Sequence, residues 1–295
     1  MEGLKPWIVL YLKGCAMGAA DAVPGISGGT IAFITGIYSR LIQALTSLSF
    51  SMVLENFRGL TLDEESKFLG VLGLGIVSAV FLTLNLVDFM IANFLTVTYA
   101  FFFGVIAASI PVVGRKTGLT FQTAASGLLG FILAFAVSGL SSAALTPQMH
   151  FIFLSGFLSV TAMVLPGISG SLILLILGQY EYMTGTVSRF TSAAAQQSTE
   201  TLLQSGLTLT VFIAGALAGL FTSAEIVKKA LEYSRELTMA FLIGMIAGSL
   251  RAPILRISSH LSEKGLSWIN VLPEFMVAGL IGGAAVLILN RLSQR

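Results

Sequence analysis

Charge is what this chain has least of. Only 10% of its residues are Asp, Glu, Lys or Arg, against 55% hydrophobic, and mean hydropathy is +0.91. A soluble domain carries about 25% charged residues. So few charges cannot cover a water-facing surface, and the apolar excess must face lipid. A net charge of +2 leaves no basic face for nucleic acid. The single cysteine, Cys15, excludes an internal disulfide and a Cys-rich metal centre. His150 and His260, the two histidines, stand far apart without ligand spacing, so no metal site is expected and both read as solvated loop residues. Catalytic signatures are missing as well: no Gly-x-Ser-x-Gly, His-Glu-x-x-His or P-loop occurs. The chain is therefore expected to be no enzyme and to carry no cofactor.

What the chain does have is an internal repeat. Pro24-Gly25-Ile26-Ser27-Gly28-Gly29 followed by Gly36-Ile37-Tyr38 returns as Pro166-Gly167-Ile168-Ser169-Gly170-Ser171 followed by Gly178-Gln179-Tyr180. The offset is 142 throughout, and Gly14 maps to Gly156 at the same spacing. Further on, Gly104 aligns with Gly244, and Gly127 and Gly130 with Gly279 and Gly282, at drifting offsets that loop-length changes would produce. Lys5 before apolar residues 7–12 has the outline of a signal peptide. Residues 13–38 recur in the second half, however, so the segment is read as part of the mature fold.

A helix needs about 20 apolar residues to cross the hydrocarbon. Six segments qualify, at roughly 68–86, 92–112, 121–140, 203–223, 237–252 and 271–290, with Asn85, Asp88 and Asn93 marking a polar turn between the first two. Two more apolar stretches, 7–46 and 150–184, are each interrupted midway by the Pro-Gly-Ile-Ser-Gly motif, which suits a re-entrant hairpin. The expected fold is thus an all-α polytopic membrane protein of two repeats, 1–144 and 145–295, each a re-entrant helical hairpin plus three transmembrane helices. Three is odd, so the repeats should have inverted topology.

Loop charge is an independent check. One side receives Lys5, Lys13, Arg40, Arg58, Lys67, Arg115, Lys116, Lys228, Lys229, Arg235, Arg291 and Arg295; the other only Arg189, Arg251, Arg256 and Lys264. Both termini are therefore expected to be cytoplasmic.

Bare backbone amides cost several kcal/mol in hydrocarbon, so a break at mid-membrane must be buried in protein or line a wet cavity. After each break a helix should start, offering free N–H groups and a partial positive charge. Two inverted hairpins can bring two such starts together as an anion site. Its residues would be Gly25, Ser27, Gly28, Gly29 and Thr30 from one half and Gly167, Ser169, Gly170 and Ser171 from the other. A phosphate monoester or a carboxylate fits. The plainer reading is close helix packing by small residues, and it is the preferred one for the pairs Gly14/Gly18, Gly215/Gly219 and Gly244/Gly248.

Asp21 has no acidic counterpart, since Met163 occupies its place. An acid so near a hairpin tip is costly; it either couples transport to a proton or Na⁺, or caps the amides freed by the break. Arg251 is the candidate for headgroup capture on the outer side, with Arg256 beside it; both equally suit interfacial anchoring. Lys13 and Arg40 either assist release at the inner face or snorkel. Tyr38 and Tyr180 are expected in the aromatic belts.

The run from Lys13 to Thr30, followed by Gly36-Ile37-Tyr38, closely resembles the PopT-type bacterial polyprenyl-phosphate transporters, as does the second motif from Leu165 to Ser171. The resemblance implies a lipid flippase. Such proteins return undecaprenyl phosphate from the outer to the inner leaflet of the bacterial cytoplasmic membrane, recycling the carrier for peptidoglycan and other envelope polymers. Its partners are then a polyprenyl-phosphate lipid and the membrane, and a homo-oligomer is compatible with it. The alternative reading from the residues is a transporter or channel for a small soluble anion or organic acid.

Overall fold

A computed structural model describes residues 5–23, 25–47, 64–114, 117–140, 147–196 and 198–293. Pro24, Arg58, Arg115, Lys116 and Arg295, named above, lie outside these residues, as do the side chains of Asn85 and Asp88. Every regular element among the described residues is a helix. In chain order these are α1 (Lys5–Asp21), α2 (Gly28–Ile34), α3 (Tyr38–Ser47), α4 (Glu64–Gly114), α5 (Phe121–Ser138) and α6 (Met149–Val164). There follow α7 (Gly170–Ile176), α8 (Tyr180–Gln196), α9 (Thr199–Tyr233), α10 (Arg235–Ser249), α11 (Arg251–Glu263) and α12 (Trp268–Ser293).

Five helical stretches are long and apolar enough to cross a membrane: Phe89–Gly114, Phe121–Ser138, Thr199–Tyr233, Arg235–Glu263 and Trp268–Ile288. The chain is a multi-pass membrane protein. The segment expected as a span at 68–86 is helical, within α4, but is not among these five. Nor does a loop separate it from the next segment. The helix runs on through the polar residues and breaks at Phe94 (φ −136°, ψ 43°), where the Asn93 side chain donates to Phe89 O at 2.9 Å. Both histidines also differ from expectation: His150 lies in α6 and His260 in α11, not in loops.

The repeat seen in the sequence is repeated in backbone conformation. Gly25 and Gly167 have φ of 89° and 95°, and Gly36 and Gly178 have 75° and 67°. These values favour glycine because an L side chain there meets its own backbone. Each motif therefore reads helix, left-handed break, two-turn helix, left-handed break, helix. The second break closes the same way in both halves. Gly36 N donates to Phe33 O and Ile37 N to Ala32 O, while Gly178 N donates to Leu175 O and Gln179 N to Leu174 O. That is the paired-carbonyl closure of a Schellman motif, with glycine at its left-handed position.

Packing recurs too. α1 lies on the first part of α4, and α6 lies on α9. A Cβ on Gly14 would stand 3.1 Å from Gly75 Cα, and one on Gly156 3.0 Å from Ala216 N. The remaining pairs cross between halves: α4 packs on α12 and α10 on α5. There the aligned glycines do the same job. A Cβ on Gly104 would sit 2.6 Å from Gly279 C, and one on Gly244 2.7 Å from Gly127 C. Small residues let backbones approach closely where lipid supplies no hydrophobic drive between helices. Among the described residues of the first half no helix corresponds to α11.

Candidate functional site

The two breaks touch. Gly167 N, at the second break, donates to Thr30 Oγ1 of α2 at 2.9 Å. The Tyr38 hydroxyl donates to Val164 O, at the end of α6, at 3.1 Å. Gly29 faces the same helix end so closely that a Cβ there would stand 2.8 Å from Met163 O. Thr30 is 1% exposed and Tyr38 2%. Tyr38 is thus not in an interfacial belt; it is a buried tie between the hairpins. Its place two residues after a left-handed glycine, at the start of α3, is the signal that sequence reasoning passed over.

Asp21 ends α1 and turns back onto α2. Its Oδ1 accepts from Gly28 N at 2.6 Å, so the carboxylate caps the first amide of the short helix. A Cβ on Gly28 would lie 2.8 Å from Asp21 Cγ, which is why glycine stands there. The other carboxylate oxygen, Oδ2, and the Ser27 hydroxyl are buried with no hydrogen-bond partner among the described residues. In the second half Met163 replaces the acid, and Ser169 and Ser171 hydroxyls bond each other at 2.8 Å instead. α2 and α7 have seven residues each, about 10 Å. Helices so short bring individual N–H donors to the site more than a developed macrodipole.

Of the residues named from the sequence, Gly25 opens onto a cavity of about 310 Å³. Its walls come from α7 (Leu172, Leu175, Ile176), from the end of α5 and from α11, which contributes Arg256 and Ser259. Ser27, Gly28, Thr30, Gly167 and Ser169 are buried where the hairpins meet. Arg251 is placed otherwise. Its Nη1 donates to Phe135 O at 2.7 Å and its guanidinium lies 4.2 Å from the Phe135 ring centroid, fastening α11 to α5. Of the two neighbouring arginines, Arg256 is the one that lines the cavity. A second, apolar cavity of about 190 Å³ lies beside Gly29 and Met163, walled by Met17, Leu72 and Leu220.

The Gly28 and Gly167 amides are thus taken up by Asp21 and Thr30, while the adjoining cavity brings Gly25 and the Arg256 guanidinium together with apolar side chains. Residues 17–265 match the VCA0040-like family, described as undecaprenyl phosphate translocase-like. The chain belongs to this family. It is 34% identical over 252 residues to a polyprenyl-phosphate transporter of Vibrio cholerae serotype O1, covering 83% of this chain and 76% of that protein. It is 29% identical over 301 residues to a polyprenyl-phosphate transporter of Staphylococcus aureus, covering 94% and 96%. No solved structure matches.

Proposed function

We propose that the chain is a flippase for polyprenyl phosphate, returning undecaprenyl phosphate from the outer to the inner leaflet of the bacterial cytoplasmic membrane, and that it performs no covalent chemistry. Two inverted repeats carry the site, with both termini cytoplasmic and each Pro-Gly break at the tip of a re-entrant hairpin. The observation that carries this reading is the contact of the two tips through Thr30 and Gly167, beside a cavity shared by Gly25 and Arg256. The names of the two relatives support the substrate class.

In this reading the phosphate enters from the Arg256 cavity, and the hairpins part to admit it. It then meets the backbone and hydroxyls of Gly25, Ser27, Gly28, Gly29 and Thr30 on one side and of Gly167, Ser169, Gly170 and Ser171 on the other. Arg251 holds α11 in place at the entrance. The isoprenoid tail stays in lipid. Asp21 occupies the Gly28 amide when the phosphate is absent; protonation or a Na⁺ ion releases it, which couples the cycle to a gradient.

The direct test is surface exposure of undecaprenyl phosphate in cells depleted of the protein and of redundant transporters, read with a drug that binds the lipid from outside. Exposure should rise; unchanged exposure refutes the proposal. Uptake of phosphate or organic acids into liposomes carrying the protein, without lipid movement, favours a soluble-anion transporter instead.

A further inference from the structure

A further, roomier cavity lies elsewhere among the described residues. It measures about 650 Å³ and is walled by Trp7, Leu10, Lys13, Arg40, Glu64 and Phe68, with Val9 at its edge. That volume is in the range of small-molecule sites. Lys13 sits on α1 eight residues before Asp21, about 12 Å along the helix, so this cavity and the Arg256 cavity are distinct.

The charges around it do not balance locally. Arg40 is offset by Glu65, its Nε 3.8 Å from the carboxylate, and its guanidinium lies 4.5 Å from the Phe68 ring centroid. Glu64 is offset by Lys67 at 3.5 Å. Lys13 is half-buried and its Nζ donates to Thr35 O, in the closing turn of α2, at 2.8 Å. Among the described residues it forms no ion pair. A partly buried ammonium held only by a carbonyl still favours an anionic partner. Trp7, Val9 and Leu10 of the same helix, with Ile37 and Phe68, make the rest of the lining largely apolar, and α1 continues it as an exposed apolar surface, where Ile8 and Val9 are each 51% exposed. An anion that carries a hydrocarbon tail satisfies both surfaces.

We infer that this cavity is a second seat for a phosphate monoester, with the Lys13 ammonium as its anion partner, Arg40 at its rim and the tail leaving along α1 into lipid. The inference rests on the polyprenyl-phosphate reading above. It gives the substrate two stations, one at Arg256 and one at Lys13, on either side of the paired tips. In the second half Ser155 and Tyr182 occupy the positions of Lys13 and Arg40 at the offset of 142, so the station exists at one mouth only.

The chain has two tryptophans, one of which is in the cavity wall, and that supplies a local readout. In Trp268→Phe, Trp7 is the sole tryptophan and can be excited selectively at the red edge, where tyrosine does not absorb. Farnesyl phosphate titrated onto this protein in nanodiscs should produce a saturable change in Trp7 emission. Adding Lys13→Gln, which is neutral but keeps an N–H donor on a slightly shorter side chain, should weaken binding by at least about tenfold. Lys13→Arg should bind within about threefold of the parent, and Lys229→Gln, at an exposed lysine that pairs with Glu225 and does not line the cavity, should not differ. Equal responses to farnesol, or to inorganic phosphate at the same concentration, overturn the inference, the first because charge is then irrelevant and the second because the tail is. Unchanged affinity in Lys13→Gln overturns it too. A flat Trp7 signal in protein that still moves undecaprenyl phosphate overturns this inference alone; failure of lipid movement as well brings down the proposed function.

Discussion

Thr30→Val isolates the contact on which the paired site depends. Valine keeps the β-branched shape and removes the hydroxyl that accepts from Gly167 N at 2.9 Å. Both residues are buried, so water cannot replace the lost acceptor in this arrangement. An unsatisfied buried amide costs about 1–3 kcal/mol, which is about fivefold to 150-fold in the population of the touching tips. Thr30→Ser keeps the acceptor and loses one methyl, about 0.8 kcal/mol. Hydrogen exchange reads the difference at the right place. A peptide over 165–169 contains Pro166, which has no amide, so few exchanging sites besides Gly167 contribute. Exchange there should accelerate fivefold or more in Thr30→Val and only slightly in Thr30→Ser. Equal protection in all three proteins refutes the idea that this bond holds the tips together.

The aligned glycines should fail alike: Gly104→Val and Gly244→Val each force two backbones apart, and each should destabilise the protein by about 1–3 kcal/mol or more, read as loss of folded yield and an earlier melt in detergent. Asp21→Asn retains an oxygen to accept from Gly28 N, so folding should survive while transport loses its dependence on the pH or Na⁺ gradient. Gradient-dependent transport in that variant removes Asp21 from coupling. Arg256→Gln should reduce lipid transport at unchanged stability. Arg251→Gln, which loses its fastening to Phe135, should instead lower the melting midpoint.

Much of the backbone was legible because glycine positions are conformational instructions. The offset of 142 that relates Gly25 to Gly167 and Gly36 to Gly178 reappears as matched positive φ at both pairs. The packing of Gly104 on Gly279 and of Gly244 on Gly127 was half visible: the sequence aligned these glycines without saying that each finds its partner in the other half. The choice between Arg251 and Arg256 was not legible. Five residues along a helix is about 140° around it, so adjacent arginines face different neighbours, and only the position of α5 decides which one is tied down. The break after the first membrane-associated part of α4 was misplaced for a related reason. Asn85 and Asp88 look like a turn, yet helix propensity tolerates them, and the chain breaks at Phe94 instead.

The symmetry of the backbone and the asymmetry of the side chains have separate consequences. Two halves with the same breaks and the same glycine contacts can exchange conformations at little difference in energy, which suits a cycle between two faces. A purely symmetric pair would have no preferred end. The departures from symmetry fall along the proposed path: Asp21 against Met163, Lys13 against Ser155, Arg40 against Tyr182, and α11 with Arg256, matched by no helix among the described residues of the first half. In the proposed cycle, charge differences of this kind would bias which mouth holds the phosphate, because a single charge-assisted hydrogen bond is worth about 1.5–3 kcal/mol. Exchanging the pair, Lys13→Ser with Ser155→Lys, tests that assignment. Ser155 is buried and its hydroxyl donates to Phe151 O, so lysine there should be poorly tolerated; Lys13→Ser alone should fold and lose headgroup affinity at the α1 mouth. If Lys13→Ser instead leaves both affinity and transport intact, the bias resides in Arg256 and α11 rather than in the first hairpin.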